Sequence, residues 1–253
     1  MELTWVTYLI VCPLVFLAGL IDSVAGGGGL ISLPAYYLAG LNPYQAAATN
    51  KLSACLGTMT STGRFVREHK VDWKAGIFAA IGAFPGSLLG TSLQLKIPED
   101  TIRMLMIVAI PLVAVVVLQK KNLDGRCLVT EHFYRPLALI IGFAIGFYDG
   151  LIGPGTGTFL ILMFTMTLGM EAVMASGTAK IVNLTSNVIA LATYFAKTPD
   201  NILFALAIPA AICGMLGNYI GASLTVKKGV GFIRWMLLVV LVLLLAKMVL
   251  DVL

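Results

Sequence analysis

Two lysines and two aspartates sit where an apolar chain has least reason to hold them. Lys51 and Lys180 stand inside hydrophobic runs 129 positions apart, and Asp22 and Asp149 interrupt two others 127 apart. A charge near the centre of a bilayer costs about 3 kcal/mol on insertion scales, so each needs compensation. An anionic substrate could supply it to the lysines, or the aspartates could pair with them and release them when substrate binds. Lys180 lies about two turns into its segment, whereas Lys51 lies near an end and could equally snorkel to water. For Asp22 and Asp149 two readings stay open, capping of the helix that follows and coupling to protons.

Each aspartate opens a glycine-rich string: Asp22-Ser23-Val24-Ala25-Gly26-Gly27-Gly28-Gly29 in one place, Asp149-Gly150-Leu151-Ile152-Gly153-Pro154-Gly155-Thr156-Gly157 in the other. Neither favours continuous helix. Where helix restarts, free N–H groups point off its N-terminus and attract an anion, and the missing side chains let it approach. Ser23, Gly26, Gly27, Gly28, Gly29, Gly153, Gly155, Thr156 and Gly157 are therefore candidate anion ligands. Thr49, Asn50 and Ser53 beside Lys51, and Thr178, Asn183, Ser186 and Asn187 beside Lys180, add hydroxyl and amide donors. At helical spacing Lys180, Asn183 and Asn187 share one face. The competing reading for these polar residues is hydrogen bonding between helices, worth about 1 kcal/mol per contact. For Gly82, Gly86, Gly90, Gly217 and Gly221 close helix packing is the preferred reading.

The elements that carry these residues follow from composition. Of 253 residues, 59% are hydrophobic and only 11% charged, which excludes an ordinary soluble domain. Eight apolar segments can be traced: Leu3 to Ala39, Tyr44 to Phe65, Trp73 to Leu93, Thr101 to Leu118, Tyr134 to Leu168, Ala172 to Phe195, Ile202 to Leu224 and Phe232 to Leu250. The first and fifth are too long for one upright helix. Residues 4 to 39 would reach ~54 Å against a hydrocarbon core of ~30 Å. Both should break or fold back as hairpins at the glycine strings.

The segments form an internal repeat. Gly19, Asp22, Gly26, Gly28 and Leu33 recur as Gly146, Asp149, Gly153, Gly155 and Leu160; Thr49 and Lys51 recur as Thr178 and Lys180; Gly86 and Gly90 recur as Gly217 and Gly221. The expected fold is an all-α membrane protein of two homologous four-segment halves, residues 1–121 and 136–253, joined by a cytoplasmic linker, 122–135. Each aspartate then shares its repeat with the lysine expected to partner it. The loop with Arg64, Arg67, Lys70 and Lys74 and the linker with Lys120, Lys121, Arg126 and Arg135 read as cytoplasmic. The loop Lys96 to Arg103, balanced by Glu99 and Asp100, matches the basic cluster Lys227, Lys228 and Arg234. Matching loops of unlike charge point to inverted repeats.

Other chemistry is poorly represented. Cys12, Cys55, Cys127 and Cys213 are scattered without metal spacing and read as buried small hydrophobes, and His69 and His132 read as loop polars. No phosphate-binding Gly-x-x-x-x-Gly-Lys string occurs, and no cofactor, metal or nucleic-acid partner is expected. The net charge of +5 is explained by topology. The first segment lacks a basic flank and a cleavage site and reads as a retained span.

Gly19-Leu-Ile-Asp22-Ser-Val-Ala-Gly-Gly-Gly-Gly29 with Leu33-Pro34, then Ala47-Ala48-Thr49-Asn50-Lys51, with a weaker copy from Gly146-Phe-Tyr-Asp149, resembles the signature of the TauE/SafE family of sulfite exporters. The second copy departs from it at Pro154 and Ala179. The resemblance implies a carrier, not an enzyme, in the bacterial inner membrane for sulfite or an organosulfonate; the working mechanism is alternating access, with the two glycine tips facing each other near the midplane and the halves rocking about them. An anion channel is the nearest competitor. An intramembrane aspartyl protease using Asp22 and Asp149 is a remote one, since no Gly-x-Gly-Asp string accompanies either residue.

Overall fold

The computed structural model describes residues 4–102, 104–105 and 130–252. Most of the expected fourth segment and linker lie outside these residues, with Arg103, Lys120, Lys121, Arg126 and Cys127. Among the described residues the chain is helical and has no strand: α1 Trp5–Ala25, α2 Gly29–Leu38, α3 Pro43–Arg67, α4 Trp73–Gln94, α5 Glu131–Leu151, α6 Thr156–Thr167, α7 Ala172–Lys197 and α8 Phe204–Val252. The range given for α8 holds two helices that meet at a kink at Gly229, φ 67°, and these are the expected seventh and eighth segments, joined by that kink rather than by a loop. His132 stands in the first turn of α5 rather than in a loop, and Cys12, Cys55 and Cys213 are half-buried.

The first and fifth segments break at their glycine strings. α1 continues through Ala25 and α5 through Leu151, so both aspartates lie in a last helical turn rather than in the break. Gly26, at φ 78°, ends α1 in a conformation that a side chain disfavours. Elsewhere helix starts are set by local chemistry. Asn42 and Gln45 form a reciprocal capping box at the start of α3, with Pro43 in its first position, and Asp72 accepts from the Ala75 amide at 3.1 Å at the start of α4.

Helix directions can be read from the close glycine crossings. A Cβ on Gly86 would strike the Phe143 carbonyl and one on Gly90 the Phe147 carbonyl, so α4 and α5 run the same way. Gly217 meets Phe16 and Gly221 meets Leu20, so α1 and α8 also run together. These contacts are of the packing kind expected for these glycines. α3 runs with α8, since Gly57 lies against Gly214 and Asn218 while Arg64 donates to Ser223 at 3.1 Å. α7 runs with α4, since Gly76 lies against Thr178 and Lys197 donates to Ser92 at 2.7 Å. Because α1 and α3 share one direction, the short α2 between them must carry the chain back. Leu33 and Tyr36 of α2 share a core cluster with Val11 and Val15 of α1. The same holds for α6 between α5 and α7.

Polarity is turned inside out. Ile77, Ile81, Phe84 and Leu88 on α4 and Ile208, Ile212, Leu216 and Ile220 on α8 are exposed, while Thr49, Lys51, Asp149, Lys180, Asn183 and Asn187 are buried. Apolar faces of this extent suit hydrocarbon as the solvent. α1, α4 and Phe204–Gly229 of α8 are each long and apolar enough to cross a bilayer.

Candidate functional site

The two glycine breaks touch. The amide of Thr158, in the first turn of α6, donates to the Gly26 carbonyl at 3.2 Å, and the Thr158 hydroxyl donates to Ala25 O at 2.8 Å. A Cβ on Gly26 would lie 2.5 Å from the Gly157 Cα, and one on Gly29 would lie 3.3 Å from the Pro154 Cα. The two backbones therefore meet where only glycine permits it. The amides of Gly27, Gly29, Gly155 and Gly157 have no acceptor among the described residues. N–H groups left open beside a cavity are anion donors.

Both lysines are paired, and across the repeats rather than within them. Lys51 Nζ donates to Asp149 Oδ2 at 2.7 Å and to Asn187 Oδ1 at 3.0 Å. Lys180 Nζ donates to Asp22 Oδ2 and to the Asp22 carbonyl, both at 2.6 Å. The expectation of a partner from the same repeat is thereby corrected. The reason is the fold, which lays the last turn of α1 beside α7 and that of α5 beside α3. Lys51 does not snorkel: its side chain is only 8% exposed. Neither aspartate caps the next helix, because the caps of α2 and α6 are Gly28 and Gly155, without side-chain bonds. Asp149 instead also accepts from Ser186 Oγ at 2.6 Å and Thr156 Oγ1 at 2.8 Å.

Beside these pairs lies a cavity of about 60 Å³. That is several times the space one water needs, so it fits a small ion and not a peptide or nucleotide. Of the residues singled out by sequence, Asp22, Gly26, Gly28, Gly29, Asn50, Lys51, Ser53, Asp149, Gly153, Gly155, Thr156, Gly157, Asn183 and Asn187 line it. Lys180 stands directly behind Asp22, and Gly27 lies off the wall. Three hydroxyls expected at the anion are engaged elsewhere. Ser23 donates to Asn218 O at 2.9 Å and Oδ1 at 2.8 Å. Thr49 accepts from the Leu203 amide at 3.2 Å and Thr178 from the Asp72 amide at 2.9 Å. Each threonine thus ties down the start of a helix in the opposite repeat.

Sequence reasoning missed Gln94, Tyr194 and Asn218, which also line the cavity. Tyr194 donates to Gln94 Oε1, closing that wall. Their signal was slight, one polar residue each near the end or middle of an apolar helix.

The apolar exterior, the returning half-helices and the small, charged interior cavity define a multi-pass membrane protein built around a buried polar site. Residues 11–248 match the family described as Sulfite exporter TauE/SafE, and the chain belongs to that family. It is 33% identical over 235 residues to the "Probable membrane transporter protein YfcA" of Escherichia coli K12, covering 93% of this chain and 87% of that protein. A "Probable membrane transporter protein" of Haemophilus influenzae is also 33% identical, with 93% and 92% covered. "Probable membrane transporter protein YunE" of Bacillus subtilis is 22% identical, with 92% and 96% covered. No solved structure matches the chain.

Proposed function

We propose that this protein is a secondary transporter, not an enzyme, that carries a small oxyanion across the bacterial inner membrane, with sulfite or an organosulfonate as cargo. The observation that carries this reading is one small cavity lined by the buried Lys51 ammonium and by the open amides of Gly29, Gly155 and Gly157, with a second buried ammonium, Lys180, held against it by Asp22. Amides and ammonium groups are donors only, so what they attract is negative. The aspartates hold the lysines while the site is empty. Protonation of a carboxylate would free its lysine for the anion, which makes Asp22 and Asp149 the candidates for proton coupling. A shared-proton aspartyl protease gains no support, since each carboxylate has its own lysine.

Alternating access is supported by symmetry. α1 and α3 run opposite to α5 and α7, as inverted repeats of 1–121 and 136–253 require. Thr49 and Thr178 make matching bonds, as do the glycine crossings of α4 on α5 and α8 on α1. Lys227 and Lys228 fall at the end of the molecule that holds Arg64 and Lys74, which suits a common cytoplasmic face. Rocking of one half on the other would open the cavity to each side in turn.

The test is uptake of labelled sulfite, sulfoacetate and sulfate into proteoliposomes, with and without a pH gradient. Saturable, exchangeable flux of one of these anions, raised by the gradient, is expected. Flux that never saturates and shows no exchange would mean a channel, and absence of flux for all three would overturn the reading.

A further inference from the structure

The two half-sites are unequal in a way that assigns them different tasks. Asp149 is only 4% exposed and holds three side-chain donors, Lys51, Ser186 and Thr156. Asp22 is 15% exposed. Its carboxylate has Lys180 at 2.6 Å and, among the described residues, otherwise only the Gly28 amide at a long 3.4 Å. The repeat explains the difference. Thr156 corresponds to Gly29 at the offset that relates the aspartates, and Ser186 to Gly57 at the offset that relates the lysines. Both hydroxyls that hold Asp149 are therefore glycines at the matching positions of the first repeat. Lys51 also has a second side-chain partner in Asn187, whereas the second partner of Lys180 is the Asp22 carbonyl.

We propose that Lys180–Asp22 is the pair that parts when the anion binds, while Lys51–Asp149 stays closed as a strut between the repeats. This rests on the reading of the cavity as an anion site. Asp22 lines the cavity and covers the Lys180 ammonium, so a cargo reaches that ammonium only when Asp22 moves aside. One ammonium–carboxylate contact is exchanged for one ammonium–anion contact, and Asp22, left without its cation, takes up one proton from the aqueous side open to the cavity. The other ionisable groups facing the cavity are Lys51 from α3, Asp149 from α5 and Tyr194 from α7. Asp149 keeps its three donors throughout, since undoing it would leave two hydroxyls and an ammonium to be satisfied again inside the protein.

Infrared difference spectroscopy on the protein in lipid membranes, with carboxyl-labelled aspartate and sodium sulfite as the probe, reads the aspartate carboxylates, and single substitutions assign each change to Asp22 or Asp149. Sulfite should remove one carboxylate band and add one protonated carboxyl band. Asp22→Asn should erase both changes, and Asp149→Asn should keep them. Should Asp149→Asn fail to fold, the Thr156→Ala/Ser186→Ala protein retains the Lys51–Asp149 pair but strips its hydroxyls, and a second carboxylate should then respond. A response lost in Asp149→Asn and kept in Asp22→Asn, or no second response in the double variant, would overturn the assignment of tasks. If the wild-type protein neither responds to sulfite, sulfoacetate and sulfate nor takes up their labelled forms, the anion reading itself fails and this proposal falls with it.

Discussion

Replacing Lys51 with methionine removes one partner of an ion pair whose side chains are 8% and 4% exposed. The Asp149 carboxylate would be left with Ser186 and Thr156 as donors. Breaking a buried pair from one side costs about 3–5 kcal/mol. The two surviving hydroxyl donors put the loss at the lower end, about 3 kcal/mol. For a chain of this size each 1 kcal/mol moves the midpoint by about 2–4 °C, so a fall of roughly 6–12 °C is expected. The double variant Lys51→Met/Asp149→Leu should recover most of it, because removing both charges leaves no uncompensated one. Ser186 and Thr156 would keep bonds to the carbonyls of Asn183 at 3.0 Å and Gly153 at 2.7 Å. Thermal unfolding of wild type, both single variants and the double variant in one detergent gives the coupling energy, which should exceed about 1.5 kcal/mol for a pair in direct contact. Additive losses would refute the pairing across the repeats and the reasoning built on it.

Other expectations can be measured alongside. Gly26→Ala should yield little folded protein by size-exclusion chromatography, since its Cβ meets the Gly157 backbone at a positive φ; Gly63→Ala, with open space around it, is the folded control. Gly86→Val should force α4 from the Phe143 carbonyl and lower the unfolding midpoint by several degrees, on the order of 2 kcal/mol. Tyr194→Phe should leave the buried Gln94 carbonyl without its hydroxyl donor, costing about 1–3 kcal/mol, and raise the KM of the transported anion in proteoliposome uptake because both residues line the cavity.

How far the sequence carries the reader depends on the range of the physics involved. Gly26 and the Gly153–Gly155 string announced both breaks because backbone freedom is a local property. The stripe of Gly82, Gly86 and Gly90 announced a close crossing for the same reason, though not that α5 would fill it. The lysines stood out because an ammonium in an apolar run needs an explanation wherever it lies. Their partners did not, since Lys51 and Asp149 are 98 positions apart and Lys180 and Asp22 are 158 apart. Only the packing of one repeat through the other decides that choice. Thr49 and Thr178 show the converse. Adjacency in sequence to a buried lysine suggested them as anion ligands, yet on a helix a residue two positions away faces elsewhere. Both serve helix starts in the opposite repeat.

The pairing across repeats bears directly on how a carrier of this build could move. If each aspartate held the lysine of its own half, the halves could rock apart with both charges satisfied, and nothing would connect occupancy of the cavity to the angle between them. Here each ion pair is a bond between halves. A half cannot shift far without either breaking a buried pair or carrying it as a pivot. The contact of Gly26 with Gly157 and Thr158 lies at the same place and adds backbone bonds that tolerate little sliding. For a carrier of the proposed kind, motion would be cheapest as rotation about this junction, with one pair serving as pivot and the other as the element that substrate would replace. A coupling of the proposed kind would need no separate gate, because the cation paired in this structure would also be the one to receive the cargo.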